Sequence, residues 1–315
     1  MTAPGQFPAE TSKDGAFVRQ KYQFRDRITA DGSSGFPAER GRYHLYVSLA
    51  CPWAHRAIIV RRLLGLEDVI SMSVVDPIRD ERGWAFREGN GHGPDPVYSF
   101  EFLSEPYLRT DPTFTGRVTV PCIWDRVTER LVSNNYPDIT IDFETQFTSF
   151  HRADAPDLYP AALREEIDAV NAVVYEDVNN GVYRAGFATS QAKYEAAVMT
   201  LFARLDELET RLATQRYLLG AQFTEADLRL FTTLVRFDVV YVHHFKCNLR
   251  RLADYPNLWG YARDLYQHPG FGDTVDFDHI KRHYYMTHDQ INPTRIVPLG
   301  PLVHWSAPHD RARLG

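Results

Sequence analysis

The chain has 315 residues, 44% of them hydrophobic and 24% charged, which suits about two globular domains able to bury a sizeable core. With 35 Lys and Arg against 41 Asp and Glu the net charge is −6, so there is no general attraction to nucleic-acid phosphates and no nucleic-acid partner is expected. No run approaches the roughly 18 to 20 apolar residues of a membrane helix, and Met1-Thr-Ala-Pro-Gly5 lacks the order of a signal peptide, so no membrane partner and a cytoplasmic location are expected.

Residues 1–40 carry scattered glycines and no sustained apolar period, which reads as an extension lying on a domain. The run Tyr43-His-Leu-Tyr-Val-Ser-Leu49 is rich in strand formers and is followed, after Cys51-Pro52, by a helix over Trp53 to Leu64. A second strand, Val69 to Val75, closes a βαβ unit. A long irregular stretch, Asp76 to Thr115, precedes a hairpin of Arg117–Asp125 and Arg130–Val132. Pro121 inside it belongs at a strand start, an edge or a cis turn, because it cannot donate to the ladder. A helix starting near Pro137 ends this α/β half.

The second half changes character. Leu163, Ile167, Val170 and Val174 recur at helical spacing, and so do Val198, Leu201, Leu205, Leu208 and Leu212. Thr224-Glu-Ala-Asp227 is a capping box that opens a third helix, Asp227 to Phe237, with Leu228, Phe231, Leu234 and Val235 inward. After Pro269 the period is lost, and Phe271 to Gly315 reads as a tail wrapping the body. The expected organisation is an extension over 1–40, an α/β domain over 41–150, an all-helical domain over 151–270 and a C-terminal extension over 271–315.

Three cysteines in so long a chain cannot build a disulfide framework and suit a reducing compartment, where a thiol can be reactive instead. Cys51 ends a predicted strand and precedes a helix whose first position, Pro52, needs no N–H. The helix N-terminus carries about +0.5 charge, which favours thiolate over thiol and makes Cys51 a candidate nucleophile. Ala54 stands three residues on, so the Cys-x-x-Cys pair of dithiol oxidoreductases is absent and a mixed disulfide at Cys51 needs an external thiol to resolve it. Cys122 and Cys247 are expected to be packed and unreactive.

Four separated motifs then resemble the glutathionyl-hydroquinone reductases, the Xi class of glutathione transferases. They are Cys51-Pro-Trp-Ala-His-Arg56, Arg117-Val-Thr-Val-Pro121, Gly181-Val-Tyr-Arg-Ala-Gly-Phe187, and the tail His283-Tyr-Tyr with Ile291-Asn-Pro-Thr-Arg-Ile-Val297. The resemblance implies an α/β thioredoxin-like N-terminal domain, an all-α glutathione-transferase C-terminal domain and a homodimer. The implied partners are a small-molecule thiol and an aromatic hydroquinone conjugate. No bound cofactor is implied, and the thiol, glutathione or mycothiol, acts as co-substrate.

By the same resemblance Cys51 attacks the sulfur of an S-thiolyl-hydroquinone and becomes a mixed disulfide. Tyr183 is the acid that protonates the ring carbon. Tyr241 and Tyr284 stabilise the thiolate by hydrogen bonds, with Tyr285 as an alternative to Tyr284. Trp84 packs on the bound thiol. Val120, before a cis Pro121, pairs its backbone with the thiol's cysteinyl part, and Arg117 can meet a carboxylate.

The sequence departs from the family at Ser133-Asn-Asn-Tyr-Pro-Asp-Ile139. Glutathione-using members carry Glu-Ser at the helix start, where Tyr136 and Pro137 stand here. A glutamate for the α-ammonium, a serine hydroxyl and a backbone N–H are thereby lost. Each lost charged hydrogen bond is worth about 1.5 to 3 kcal/mol. The expected thiol is therefore one without a γ-glutamyl zwitterion, namely mycothiol, with Asn134, Asn135, Tyr136 and Asp138 supplying polar and stacking contacts to its sugar.

Gly89-Asn-Gly-His-Gly93 lacks the Lys-Ser/Thr of a phosphate loop and reads as a flexible loop. His243, His244 and Cys247, or His279 and His283, lack any accompanying ligand pattern, so no metal is expected. Rival functions on the same fold are a thiol-conjugating transferase and an inert binding module.

Overall fold

The computed structural model describes residues 10–315, and the reading of Met1 to Gly5 lies outside the described residues. Two compact units form, one of residues 20–156 with 278–283, the other of residues 10–19, 157–277 and 284–315.

In the first unit β1 (Tyr43–Val47) is buried at every position, the signature of a strand covered on both faces. It leads into α1 (Pro52–Leu63), which has Pro52 in its first turn and Arg61 and Arg62 in its last, where cations complement the helix dipole. β2 (Ser71–Val74) returns parallel to β1, with Leu45 opposite Met72. After a short α2 (Ser104–Thr110) come β3 (Cys122–Asp125), β4 (Arg130–Ser133) and α3 (Tyr136–Thr145).

The sheet order is β2-β1-β3-β4, with β3 antiparallel to both of its neighbours. A βαβ unit followed by a ββα unit is the thioredoxin-like arrangement. Arg42 fixes the start of β1 against the end of β3 through two bonds to the fully buried Asp125, Nε–Oδ1 2.8 Å and Nη2–Oδ2 2.7 Å.

The second unit is helical. α4 (Arg164–Val174) runs into a π turn, Tyr175–Asn179, and on into α5 (Gly181–Gly186). α6 (Gln191–Leu212) buries Val198, Leu201, Leu205, Leu208 and Leu212, the stripe its sequence predicts. α7 (Glu225–Arg236) runs into a second π turn, Phe237–Tyr241, and α8 (Pro256–Gln267) follows. At the α7 capping box the buried Asp227 accepts hydrogen bonds from the N–H of Thr224 (2.8 Å) and of Leu218 (2.9 Å) and from the Tyr261 hydroxyl (2.8 Å). α9 (Phe277–Thr287) contributes residues to both units. No helix among the described residues is long and apolar enough to cross a membrane.

Several boundaries differ from the sequence reading. Arg117 to Pro121 is not strand: β3 starts only after Pro121, whose bond to Val120 is cis. α7 opens at Glu225, so Asp227 is its third residue and not its first. The stretch 76–115 contains α2, and the tail after Phe271 contains α9. The apolar positions of α9 include Ile280 and Tyr284, which are 0% and 1% exposed, and its buried histidines and tyrosines mask the helical period.

Candidate active site

Cys51 is the residue immediately before α1, in extended conformation (φ −79°, ψ 121°), with its carbonyl already accepting from the His55 N–H at 3.0 Å. Its half-buried thiol donates to the Val120 carbonyl at 3.4 Å. The loop bearing Val120 is held from behind by neighbouring side chains. The Tyr107 hydroxyl donates to the Thr119 carbonyl at 2.7 Å, and Asn134 Nδ2 donates to Thr119 Oγ1 at 3.2 Å. Arg117, at the loop's start, is half-buried, while Val120 and Pro121 are buried.

Trp84 is buried in the same unit. Its indole stacks on the ring of His283 (centroids 5.0 Å apart, 15° between planes), and the Arg79 guanidinium lies 4.8 Å from its centroid. His283 is oriented by Nδ1–H donating to the Pro77 carbonyl at 2.7 Å.

The start of α3 departs from the stacking platform expected there. Tyr136 is 3% exposed; its ring stacks on Trp53 at 4.8 Å and Tyr22 meets it edge-on at 5.5 Å. The Arg56 guanidinium lies 4.8 Å from the Trp53 centroid and 5.0 Å from that of Tyr136. Asn134 exchanges hydrogen bonds with the Phe24 backbone, N–O 3.1 Å and Oδ1–N 3.3 Å, and the Asn135 N–H donates to Ser133 Oγ at 3.1 Å. These groups build the fold from within, so the Tyr136 face is occupied by protein. Pro137, half-buried, adds no N–H to this helix start.

The second unit gathers three tyrosines. The Tyr183 and Tyr284 hydroxyl oxygens lie 2.6 Å apart, and those of Tyr284 and Tyr241 3.0 Å apart. Tyr241 and Tyr284 are fully buried, while Tyr183 is half-buried and forms the outer end of the chain. Burial, and then the charge of the neighbouring phenols, holds Tyr241 and Tyr284 well above the ordinary tyrosine range, so both stay protonated and can donate. Tyr285 instead aims a long 3.4 Å bond at the Val239 carbonyl, so of the two candidates Tyr284 joins the network.

Both π turns bear on this cluster. One leads directly into α5 with Tyr183, and the other ends at Tyr241. Phe245 packs edge-on against Tyr183 (5.4 Å) and stacks on Tyr241 (5.5 Å). Gly186 makes room for it, since a Cβ there would lie 2.2 Å from the Phe245 ring.

The remaining thiols are sealed in the interior. Cys122 and Cys247 are 0% exposed, and burial pushes both well above the ordinary thiol range. Two further histidines noted in the sequence have protein partners: His279 Nε2 with the Asn90 carbonyl at 2.6 Å, and His244 Nε2 with His288 Nδ1 at 3.0 Å. Sequence reasoning missed Phe245, Arg56, the Trp53 stack and the role of His283. Arg56 and His283 stood inside motifs already singled out.

The family model described as the glutathione S-transferase N-terminal domain matches residues 50–146, and that of the C-terminal domain matches residues 191–264. The glutathionyl-hydroquinone reductase YqjG of Escherichia coli is 52% identical, over 95% of this chain and 93% of its own. Its glutathione-bound structure superposes with a TM-score of 0.90, covering 92% of this chain and 96% of that one. The glutathionyl-hydroquinone reductase PcpF of Sphingobium chlorophenolicum is 48% identical, over 92% and 91% of the two chains. The Xi glutathione S-transferase of Phanerochaete chrysosporium is 48% identical with a TM-score of 0.94, covering 98% of this chain and all of that one (100%).

Proposed function

We propose that this chain, which belongs to the glutathionyl-hydroquinone reductases of the Xi class of glutathione transferases, removes the thiol from S-thiolyl-hydroquinones. The Cys51 thiolate attacks the thioether sulfur, and the sulfur–carbon bond breaks as the Cys51 disulfide forms. The ring carbon takes the electron pair and a proton from Tyr183, releasing the hydroquinone. Tyr284 and Tyr241, kept protonated, support the phenol that has given its proton. A second thiol then attacks the mixed disulfide, leaves as the symmetric disulfide and returns Cys51 to its thiolate.

The observation that carries this reading is Cys51 itself, placed at the start of α1 beside the Val120 carbonyl. In the proposed complex Trp84, Arg117, Val120 and Pro121 hold the thiol. The enzyme works as a homodimer in the cytoplasm, needing no bound cofactor or metal.

For the thiol we favour mycothiol. Tyr136 offers no carboxylate and Pro137 no N–H where a γ-glutamyl zwitterion would be held. Its sugar would find polar groups elsewhere than the covered face of Tyr136. Glutathione is the second reading, favoured by the YqjG structure that contains it.

The test is intact-mass analysis of wild type and Cys51→Ala mixed with an S-mycothiolyl-hydroquinone or an S-glutathionyl-hydroquinone. A mixed disulfide and released hydroquinone with the first compound only, both lost in Cys51→Ala, is the expected result. Adduct with the glutathione compound only would overturn the choice of thiol and keep the reaction. Absence of adduct with either would overturn the reductase reading and leave a conjugating transferase or a binding module.

A further inference from the structure

The segment that sequence reading left as an extension supplies a charged group to the tyrosine cluster. Residues 10–19 form a small hairpin: the Val18 N–H donates to the Glu10 carbonyl at 2.7 Å, the Ser12 N–H to that of Ala16 at 2.8 Å, and Thr11 bridges Phe17 in antiparallel sense. Its turn contains Gly15 at φ +85°, where a Cβ would also press on Ser190 at 3.0 Å. The hairpin is anchored around the start of α6. The Thr189 N–H donates to the Gly15 carbonyl at 3.0 Å, Ser190 Oγ donates to the Asp14 carbonyl at 3.2 Å, and Lys193 Nζ lies 2.8 Å from Asp14 Oδ2.

From this base Phe17 stacks on Phe187 at 5.5 Å and on Tyr183 at 6.3 Å. The Arg19 guanidinium carbon then lies 5.0 Å from the centroid of the Tyr183 ring, and its Nε donates to Asn180 Oδ1 at 3.1 Å. Asn180 directly follows the π turn that leads into α5. Tyr183 is thereby gripped on three sides, by Arg19 on its face, by Phe245 against its ring and by Tyr284 at its hydroxyl.

We propose that Arg19 is a positioning residue for Tyr183, holding its ring in the orientation that presents the hydroxyl and stabilising the negative charge that develops on its oxygen as the proton leaves. The planar guanidinium suits both tasks, since it stacks on an aromatic face and still directs Nε to Asn180. The inference rests on the reading of Tyr183 as the proton donor. It adds that the N-terminal hairpin is part of the proton-donating apparatus.

The experiment is a double-mutant cycle on the full chain, following hydroquinone release from whichever of S-mycothiolyl- and S-glutathionyl-hydroquinone the wild type turns over faster. Arg19→Met should lower kcat about tenfold, with KM within about twofold of wild type, because the contact acts on the proton-transfer step. Arg19→Lys keeps a cation over the ring and should recover part of that loss. In the Tyr183→Phe background, which has no proton to give, Arg19→Met should lower kcat no further.

If Tyr183→Phe is impaired while Arg19→Met keeps wild-type kcat, or if the two losses multiply, the role of Arg19 is overturned and that of Tyr183 stands. An equal loss in Arg19→Met and Arg19→Lys with a lowered unfolding temperature would also overturn it, leaving Arg19 a structural residue. If Tyr183→Phe itself keeps full kcat, the proton-donor reading fails and this inference fails with it.

Discussion

The centre of the tyrosine chain is the place where one atom should matter most. Tyr284→Phe removes a single hydroxyl oxygen, 2.6 Å from that of Tyr183 and 3.0 Å from that of Tyr241. The ring stays packed at 1% exposure, so almost no cavity is created and the cost is that of lost hydrogen bonding. The hydroxyl of Tyr241 is fully buried and loses its 3.0 Å partner, a cost of about 1 to 3 kcal/mol. Tyr183 loses the bond that fixes its hydroxyl, and if about 1.4 to 2.8 kcal/mol of transition-state stabilisation goes with it, kcat falls by about ten- to a hundredfold. Tyr285→Phe is the internal control. Its long 3.4 Å bond to Val239 should leave kcat within about twofold and stability within about 0.5 kcal/mol. Urea unfolding and steady-state release of hydroquinone, run on both variants, measure the two quantities. A larger kcat loss in Tyr285→Phe than in Tyr284→Phe would refute the assignment.

Other expectations follow from packing and titration. Brief iodoacetamide treatment of the native protein should label Cys51 alone, with Cys122 and Cys247 labelled only after denaturation; peptide mass mapping of either buried thiol in the native sample would contradict this. Gly186→Ala should cost about 1 to 3 kcal/mol, since its Cβ meets the Phe245 ring, and should lower kcat by displacing Phe245 from Tyr183; unchanged melting would count against it. Burial holds His244 down to about 4, with Lys246 and His243 adding like charge, and His44 down to about 3. The unfolded chain takes up these protons near pH 6.5, so stability is full above that value and falls as the pH drops toward 4. Urea midpoints should decline between pH 7 and 5, and a flat profile would show that the two imidazoles are not held neutral.

Much of this architecture was legible because local rules and tertiary packing agree. β1, α1 with Pro52 in its first turn, the α6 stripe and the Thr224–Asp227 box each carry a signal that needs no distant partner. α9 was not legible, because its buried face uses tyrosine and histidine, which score as polar until their partners are known. The Tyr136 segment shows the opposite failure. Its residue types suggested a ligand platform, yet whether an aromatic face is open depends on Trp53 and Arg56, which lie some 80 positions away along the chain. The choice between Tyr284 and Tyr285 could be made only from three dimensions, because adjacent helical residues point about 100° apart and sequence alone does not say which direction meets Tyr183.

The two π turns constrain how this chain can change over time. Each is closed by a bond five residues long, from the Asn180 N–H to the Tyr175 carbonyl (2.8 Å) and from the Val242 N–H to the Phe237 carbonyl (2.9 Å), and so holds one residue more than an α turn. Deleting that residue would regularise the helix and turn everything beyond it by about 100°. In the first turn this would swing Tyr183 away from Tyr284, and in the second it would remove or misaim Tyr241, with little harm to helicity itself. Lineages that use this tyrosine chain should therefore tolerate substitution across 175–179 and at 237–240, Tyr241 itself excepted, far better than a single-codon deletion, so that indels, more than point changes elsewhere in the turns, mark where the chemistry has been abandoned.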